Sequence, residues 1–132
     1  MKYGDWLKNV PPHIRNDPLW GLETYRKALF IFDLAWHDCE QMLKHELGNP
    51  IARQLIRSSG SIGANIEEGF GRGFGKDYAR FLRIALASAR ESRGWYYRGR
   101  RLLNPEVVNH RMELLGVIIA NLTVLANQQK KR

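Results

Sequence analysis

The sequence has 132 residues, enough for one domain with a buried core of its own. Hydrophobic residues make up 44% and charged residues 26%, a balance that excludes a chain disordered throughout. Lysine and arginine number 21 against 13 aspartates and glutamates, so the net charge is +8 and a polyanionic partner is favoured. The single cysteine, Cys39, excludes an intrachain disulfide and a zinc site built from cysteines, and it indicates a reducing compartment.

The same features predict a cytoplasmic protein with no membrane partner. Residues 1–21 contain charged side chains and lack the apolar run of a secretory signal. The most apolar stretch, Leu114–Ala126, has 13 residues and is interrupted by Asn121 and Thr123. A bilayer requires about 20 apolar residues in a helix, so this stretch is predicted to be too short and too polar to span one.

Residues 1–21 are predicted to form an N-terminal extension. Its three prolines, at positions 11, 12 and 18, exclude a long helix but allow a short helical turn near Asp5. Two interpretations of its aromatic and aliphatic side chains stay open. They anchor the extension over the domain, or they belong to an arm that reaches a neighbouring subunit or a partner.

Four helices are predicted between residues 22 and 129, at about 22–46, 50–70, 76–103 and 105–128. Gly48 and the pair Asn104-Pro105 are typical stop and start signals, and four glycines between Gly69 and Gly75 separate the second helix from the third. Short connections and the lack of strand signals favour an all-α, up-down four-helix bundle. A basic tail, 130–132, follows it.

Apolar side chains spaced three and four residues apart give each predicted helix a face for burial. The small residues of 58–64 are included in the second helix because they allow two helices to approach closely. The predicted core residues of the first two helices are Leu22, Tyr25, Leu29, Phe32, Trp36, Cys39, Leu43, Ile51, Leu55, Ile62 and Ile66. Those of the last two are Tyr78, Leu82, Ala85, Ala89, Ser92, Tyr96, Leu103, Val108, Met112, Leu115, Ile119, Leu122 and Ala126.

No pattern typical of an enzyme is found, so we predict a non-catalytic protein with no cofactor and no metal. The glycine-rich segment Gly69–Lys76 lacks the spacing and the Ser or Thr of a phosphate loop. A helix-to-helix turn with positive backbone angles is the favoured interpretation, and a weak phosphate site at the start of the third helix stays open. No Glu-x-x-His motif supports a di-iron site. Cys39 lies in the apolar seam and is interpreted as a small buried hydrophobe.

The strongest chemical signal lies in the third predicted helix, where residues 76–104 contain eight basic and two acidic side chains. At 100° per residue, six of the basic side chains fall within about 80° of one another, opposite the apolar face, over about 40 Å. These candidate nucleic-acid-binding residues are Lys76, Arg80, Arg83, Arg90, Arg98 and Arg101. Guanidinium groups bind phosphate with two hydrogen bonds, so this row, the arginine face, predicts binding of RNA or DNA.

A second interpretation of the arginine face is that carboxylates neutralise it. The carboxylates would come from neighbouring helices, from other subunits or from an acidic protein partner. Within the chain, the candidates are Asp33, Asp38, Glu40, Glu67 and Glu68. The protein would then be a structural or protein-interaction oligomer.

An apolar flank lies between the core face and the arginine face of the third helix. It consists of Ile84, Ser88, Trp95 and Leu102. Because a four-helix bundle cannot bury every side of a helix, Ile84, Trp95 and Leu102 are predicted to form an oligomer interface. The alternative is that Trp95 only covers the rim of the bundle.

Two adjoining segments resemble a known family. Ser61–Arg72, with the sequence SIGANIEEGFGR, and Lys76–Ala85, with the sequence KDYARFLRIA, are similar to the four-helix-bundle proteins encoded in ribosomal RNA intervening sequences. Accessory variability determinant proteins of diversity-generating retroelements are relatives of that family. The resemblance covers about residues 22–127. It departs at Glu67, where the family typically has alanine, at Gly73 and Gly75, and in the N-terminal extension.

The resemblance implies a homopentameric barrel of helical bundles without catalytic residues. For the retroelement relatives it also implies a basic surface that engages nucleic acid and the reverse transcriptase. Asn65, Glu68 and Gly69 would be structural signature residues where the second helix meets the third. The resulting prediction is a self-associating accessory protein of a retroelement or of an RNA-associated complex.

Overall fold

The computed structural model describes residues 1–131, and all the regular secondary structure in that range is helical. Two short helices, α1 (Tyr3–Asn9) and α2 (Pro12–Arg15), and a 3-10 turn (Pro18–Gly21) come first. Four long helices follow, with a second 3-10 turn (Arg100–Leu102) before the last: α3 (Glu23–Met42), α4 (Gly48–Gly71), α5 (Lys76–Arg98) and α6 (Pro105–Lys130). The prediction of an all-helical fold is confirmed.

The four long helices form a bundle. Each of them packs against the next along the chain, and α3 also contacts α6. Connections of a few residues place successive helices side by side, as in other helical bundles. The core therefore lies between these four helices, and each helix keeps one side outside the bundle.

The helix ends differ from the predicted ones by a few residues. The third helix was predicted to reach residue 103, but α5 ends at Arg98, and the chain tightens into the 3-10 turn beyond Gly99. A Cβ added to Gly99 would lie 2.9 Å from Met42 Cε, 3.1 Å from Ile51 Cγ2 and 3.3 Å from the Trp95 carbonyl oxygen, so glycine allows close packing there. At the other end of this connection, Asn104 Oδ1 accepts a 2.8 Å hydrogen bond from the Glu106 amide and caps α6 as predicted.

The N-terminal extension is anchored on α3. Trp6 Nε1 donates a 2.7 Å hydrogen bond to Asp33 Oδ2, and the Tyr3 and Phe30 rings lie 5.1 Å apart between centroids. Trp6, Val10 and Leu19 are buried. The structure thus supports the anchoring interpretation, and the short turn predicted near Asp5 is a seven-residue helix, α1.

The predicted core faces of α4, α5 and α6 are confirmed in most positions. Side chains with no exposed surface include Leu55, Ile62, Ile66, Leu82, Ala85, Ala89, Tyr96, Leu115 and Leu122. Ile51, Leu103 and Met112 are half-buried, and Leu103 lies in the connection before α6 rather than in a helix.

The predicted core face of α3 is wrong in part. Tyr25 and Cys39 are buried, but Trp36 is 58% exposed and Leu43 is 53% exposed. Leu22, Leu29 and Phe32 are only half-buried. The buried positions are instead Ala28, Ile31, Leu34, Ala35, Asp38 and Met42. This face was missed because α3 is apolar on two sides and because an aspartate sits in the middle of the buried one.

Asp38 is the centre of a buried polar cluster that joins α3, α5 and α6. The Tyr96 hydroxyl donates a 2.7 Å hydrogen bond to Asp38 Oδ2. Arg111 Nε donates to the same oxygen at 2.8 Å, and Arg111 Nη2 donates to Asp38 Oδ1 at 3.2 Å. Burial, followed by the charge of Asp38 and the hydrogen bond to it, raises the pKa of Tyr96 well above its usual value. A buried carboxylate is thus paired in both charge and hydrogen bonding.

The small residues of 58–64 are helical, as predicted, and they let α4 approach α5. Ser92 Oγ donates to Ser58 Oγ at 2.9 Å, and Ser88 Oγ donates to Ser61 Oγ at 2.9 Å. Ser88 was assigned to the apolar flank of the third helix, and this assignment is wrong because the α4 contact buries it. The two serine pairs hold the helices together at a distance that larger side chains would prevent.

The last helix, α6, extends well beyond the apolar stretch Leu114–Ala126 at both ends. Among residues 1–131, α6 is the one helix long and apolar enough, by length and composition alone, to cross a membrane, with a mean hydropathy of 1.2 over its most apolar 18 residues. In the structure, α6 packs in the bundle against α5 and α3. The helix includes Lys130, the first residue of the predicted basic tail, whose last residue, Arg132, lies outside the described residues.

Candidate nucleic-acid interface

The six residues of the arginine face are all exposed. Five lie on the outer side of α5, and Arg101 lies in the 3-10 turn that follows. The opposite side of α5 carries Leu82, Ala85 and Ala89, which have no exposed surface. Burial of this apolar side against α4 and α6 fixes the rotation of the helix, and the cations must then point away from the core.

Polar contacts to the two neighbouring helices border the arginine face. On the α4 side, Arg57 forms an ion pair with Glu91. On the α6 side, Arg83 Nη2 donates a 3.3 Å hydrogen bond to Asn127 Oδ1. The arginine face is therefore a strip along one helix rather than a cleft between helices.

Four of the five carboxylates proposed as internal partners of the arginine face have other partners. Asp33 accepts from Trp6, and Asp38 is paired with Arg111. Glu67 accepts a 2.6 Å hydrogen bond from the Tyr25 hydroxyl, which helps to raise the pKa of that tyrosine after the larger effect of burial. Glu68 pairs with Arg72 at 3.1 Å, and Glu40 is an exposed residue of α3.

Within residues 1–131, Asp77 is the carboxylate paired with a member of the arginine face, at 3.1 Å from Arg80. Neutralisation of the arginine face by neighbouring helices of the same chain is therefore not found. Carboxylates of other subunits or of a protein partner stay open as an alternative. The outer side of α5 keeps a large excess of positive charge.

Two guanidinium groups of the arginine face, and that of Arg100 beyond it, lie over aromatic rings. The Arg80 guanidinium carbon lies 4.3 Å from the Phe81 ring centroid, and that of Arg98 lies 4.9 Å from the Trp95 ring centroid. Beyond α5, Arg100 lies 4.1 Å from the ring of Tyr97. The sequence gave no sign of these pairs, which depend on side-chain conformations.

The turn between α4 and α5 requires two glycines. Gly73 has φ 95° and Gly75 has φ 88°, in the region that favours glycine, so the predicted turn with positive backbone angles is confirmed. The amide of Gly75 donates a 3.1 Å hydrogen bond to Gln129 Oε1, near the end of α6. This contact joins residues 54 positions apart, which is why the sequence could not reveal it.

The residues predicted to form a structural signature lie on the last turns of α4. Asn65 Nδ2 donates to the carbonyl oxygen and to the hydroxyl of Ser61, both at 2.8 Å. A Cβ added to Gly69 would lie 2.8 Å from Phe81 Cβ and 2.9 Å from Tyr78 Cδ1. Gly69 thus allows α4 to touch α5, while Glu68 is exposed and pairs with Arg72.

The predicted oligomer interface on α5 is a narrow surface in the single chain. Ile84 is 39% exposed, whereas Trp95 and Leu102 are half-buried and pack against the core. Trp95 Nε1 also donates a 3.1 Å hydrogen bond to Glu91. Only Ile84 therefore offers a largely exposed apolar side chain on this flank.

A larger exposed apolar surface lies on the opposite side of the bundle, between α3 and α4. Trp36 and Leu43 border a hollow of about 470 Å³ that Ala52 and Ile56 line from α4. Cys39 also lines it, but the cysteine is buried, and burial followed by the charge of Asp38 raises its thiol pKa to about 11. The interpretation of Cys39 as a small buried hydrophobe is confirmed.

Between Met1 and Lys131, no group of three or more His, Cys, Asp or Glu side chains could hold a metal ion. Burial and the nearby Arg111 charge lower the pKa of His110, whose Nδ1 lies 2.8 Å from Arg111 Nη1. His110 therefore belongs to the surroundings of the Asp38 cluster.

Comparison with known proteins gives two results. The profile of a family described as 23S rRNA-intervening sequence protein matches residues 21–123. A solved structure, a protein of unknown function from the S23 ribosomal protein family of Bacteroides thetaiotaomicron VPI-5482, is similar with a TM-score of 0.73 and 23% identity. The alignment covers 78% of this chain and 97% of that one, and at this identity it supports the fold alone. No curated protein is similar enough in sequence to count as a match.

Proposed function

Because the chain belongs to the 23S rRNA-intervening sequence protein family, we propose that it is a non-catalytic protein that binds nucleic acid through the arginine face of α5. One observation carries this proposal: five exposed cations share the outer side of α5, and a sixth, Arg101, is exposed in the turn that follows. Within residues 1–131, Arg80 is the member of this set that is paired with a carboxylate. The family name points in the same direction, since it refers to a segment of ribosomal RNA.

The physical mechanism is neutralisation of phosphates. Arginine guanidinium groups hold phosphate oxygens with two hydrogen bonds and release the counterions condensed on the nucleic acid. The strip along α5 is about 38 Å long, so it can contact a backbone over many phosphates. Contacts of this kind carry no sequence information, and we propose an affinity that is tolerant of sequence and steeply dependent on salt.

The proposal includes self-association and an accessory role. A homopentamer, as the family resemblance implies, would place five arginine faces on one particle and strengthen binding through multivalency. The partner complex would be an RNA-associated complex or a retroelement with its reverse transcriptase, in the cytoplasm. These finer statements rest on the resemblance, whereas nucleic-acid binding rests on the charges of α5.

The proposal is tested with the triple variant Arg80→Glu, Arg83→Glu and Arg90→Glu. The matched control is Lys8→Glu, Arg15→Glu and Lys44→Glu, which changes the net charge equally at exposed positions outside α5. Binding of labelled RNA and DNA is measured by fluorescence anisotropy across a salt series, with the mass of each variant from light scattering and its melting temperature in parallel.

We expect the α5 variant to stay folded and assembled and to lose binding at every salt concentration. We expect wild type and the control variant to bind with affinities that fall by several decades between low and physiological salt. The proposal is wrong if wild type does not bind at low salt, or if both triple variants weaken binding equally, since the effect would then follow net charge rather than α5.

A second candidate function is that of a structural or protein-interaction oligomer. The exposed Trp36 and Leu43 beside the α3–α4 hollow favour it, because apolar side chains of this size usually pack against another surface. In that case, the arginine face contacts carboxylates of a subunit or a protein. The measurement that favours this function is a fall in the mass of the α5 variant together with an absence of nucleic-acid binding by wild type.

A further inference from the structure

Exposed aromatic rings stand at both ends of the arginine face. Phe74, in the turn before α5, is 75% exposed, and Tyr97, in the last turn of α5, is 53% exposed. About 32 Å of helix separate Lys76 from Tyr97. Both rings therefore keep much of their surface accessible where a ligand held by the cationic strip could reach them.

The position of Phe74 is fixed by the backbone on both sides of it. Gly73 and Gly75 adopt positive φ angles, and the Gly75 amide is tied to Gln129 at 3.1 Å. The α4–α5 turn therefore has a defined backbone conformation, and it places the exposed Phe74 ring at one end of the bundle. Its hydrogen bond to Gln129 also brings Lys130 and Lys131, both exposed, to the same end.

Cations surround this turn. Arg72 and Lys76 are exposed residues on either side of Phe74 in the sequence, and Arg80 follows one helical turn later. The guanidinium groups of Arg72 and Arg80 lie 5.0 Å and 4.3 Å from the ring centroid of Phe81. Asp77 contacts both arginines, at 3.6 Å and 3.1 Å, and Glu68 also pairs with Arg72 at 3.1 Å. Lys76, Lys130 and Lys131 leave the turn with an excess of positive charge.

Tyr97 has a similar environment at the other end. Arg100 lies 4.1 Å from the Tyr97 ring centroid, and its Nη1 donates a 2.9 Å hydrogen bond to the Tyr97 carbonyl oxygen. Arg98 and Arg101, two members of the arginine face, are adjacent in sequence and exposed. An exposed ring with exposed cations close to it in the sequence thus occurs twice, once in the turn before α5 and once in its last turn.

We propose that the ligand of the arginine face is a single-stranded nucleic acid, whose unpaired bases stack on Phe74 and Tyr97 while its phosphates lie along the arginines. This inference rests on the proposed function and specifies its ligand. Bases in a duplex stack on one another and cannot offer their faces to a protein ring, whereas bases of a single strand can. Rings combined with a cationic track are the usual means of binding single strands without sequence preference.

The test compares three substitutions at Phe74. Phe74→Ala removes the ring, Phe74→Leu keeps an apolar side chain without a π face, and Phe74→Tyr keeps the ring. Tyr97→Ala and Tyr97→Phe repeat the comparison at the other end. The probes are a labelled uridine 20-mer and a duplex RNA of 20 base pairs, measured by anisotropy over a salt series.

We expect Phe74→Ala, Phe74→Leu and Tyr97→Ala each to weaken binding of the single strand by about 5- to 150-fold, the usual effect of losing one stacked base. The slope of affinity against salt stays unchanged, because no phosphate contact is lost. Phe74→Tyr and Tyr97→Phe bind like wild type. Duplex binding is weaker than single-strand binding in wild type and is unaffected by all five substitutions.

A direct measurement of stacking accompanies the affinities. A 2-aminopurine placed in the single strand should lose fluorescence when it binds wild type, and less so with Phe74→Ala and Tyr97→Ala. If wild type binds both nucleic acids but the substitutions leave single-strand affinity and this fluorescence unchanged, the inference is wrong while the proposed function stands. If wild type binds neither probe, the proposed function fails.

Discussion

The two sides of α5 use the same kinds of residue in opposite ways. On the inner side, Tyr96 has no exposed surface and donates to Asp38 at 2.7 Å. On the outer side, its neighbour Tyr97 is 53% exposed beside Arg100. On the inner side, the hydroxyls of Ser88, Ser92 and Tyr96 have partners supplied by the fold. On the outer side, Arg80 is the member of the arginine face that is paired with a carboxylate among the described residues.

Arginines show the same difference. The Arg111 side chain is 11% exposed and is held by both oxygens of Asp38, so its charge is neutralised inside the molecule. Arg90 is exposed and keeps its charge for the solvent or a partner. A buried arginine thus supports the fold and an exposed row of arginines creates an electrostatic field, which is why net charge alone cannot identify a binding surface.

The largest expected loss of stability comes from replacing Asp38, which pairs with the inner side of α5. Asp38→Ala leaves the buried Arg111 charge and the Tyr96 hydroxyl without their acceptor, and we expect unfolding to become easier by roughly 3–5 kcal/mol. Glu40→Gln, at an exposed position two residues away on α3, should change the free energy of unfolding by less than about 0.5 kcal/mol. Urea unfolding followed by circular dichroism measures both, and equal effects would show that the cluster contributes no special stability.

An intermediate effect is expected where α4 touches the inner side of α5. In Gly69→Ala, the new methyl group would lie 2.8 Å from Phe81 Cβ and 3.3 Å from the Tyr78 carbonyl oxygen, which forces the two helices apart. Overpacking of this kind costs about 1–3 kcal/mol. Gly71→Ala, which meets no atom within 4 Å, is the control. Similar melting temperatures for the two variants would contradict the close contact.

A smaller effect is expected from pH, because buried titratable groups make the free energy of unfolding depend on it. Burial raises the pKa of the Tyr96 hydroxyl well above 10, and it raises that of the Cys39 thiol to about 11 from its usual 9. The unfolded chain therefore releases these protons at lower pH than the folded one. Their contribution to stability is complete below about pH 9 and is lost progressively as the pH rises above it.

The free energy of unfolding, measured in urea at pH 8, 9.5 and 10.5, should therefore fall with rising pH. The fall should be shallower in Cys39→Ala, which has no thiol to titrate, although this variant will be less stable at every pH. A fall of equal steepness in wild type and in Cys39→Ala would show that the thiol ionises alike in the folded and unfolded chains.

Periodicity predicted the buried faces of α4, α5 and α6 because most of their buried side chains recur at spacings of three and four residues. It failed on α3, where Trp36 and Leu43 continue an apolar pattern that the fold leaves outside. Asp38 was named as a candidate partner of the arginine face because its actual partner, Arg111, lies 73 positions later in the sequence. Long-range pairs of this kind are not visible in a local pattern.

The arginine face was predictable because it lies on one helix, where spacing alone places the side chains. The contribution of the α4–α5 turn was not, since it depends on the approach of Gln129 from the end of α6. The sequence contains Gly73 and Gly75, but it could not show that Phe74 is exposed between them. Nor could it show that Lys130 and Lys131 lie at the same end of the bundle. Sites within one element are thus easier to predict than sites between elements.

The hydrogen bond between Gly75 and Gln129 also has a practical consequence for handling the protein. Gln129 is three residues from the end of the sequence, so a polyhistidine tag fused at that end would add metal-binding imidazoles only a few residues after the contact with the α4–α5 turn. The amino terminus is near enough to His110 to influence its pKa, and about 28 Å of α6 separate His110 from Gln129. A tag at the amino end is therefore the better choice for binding assays.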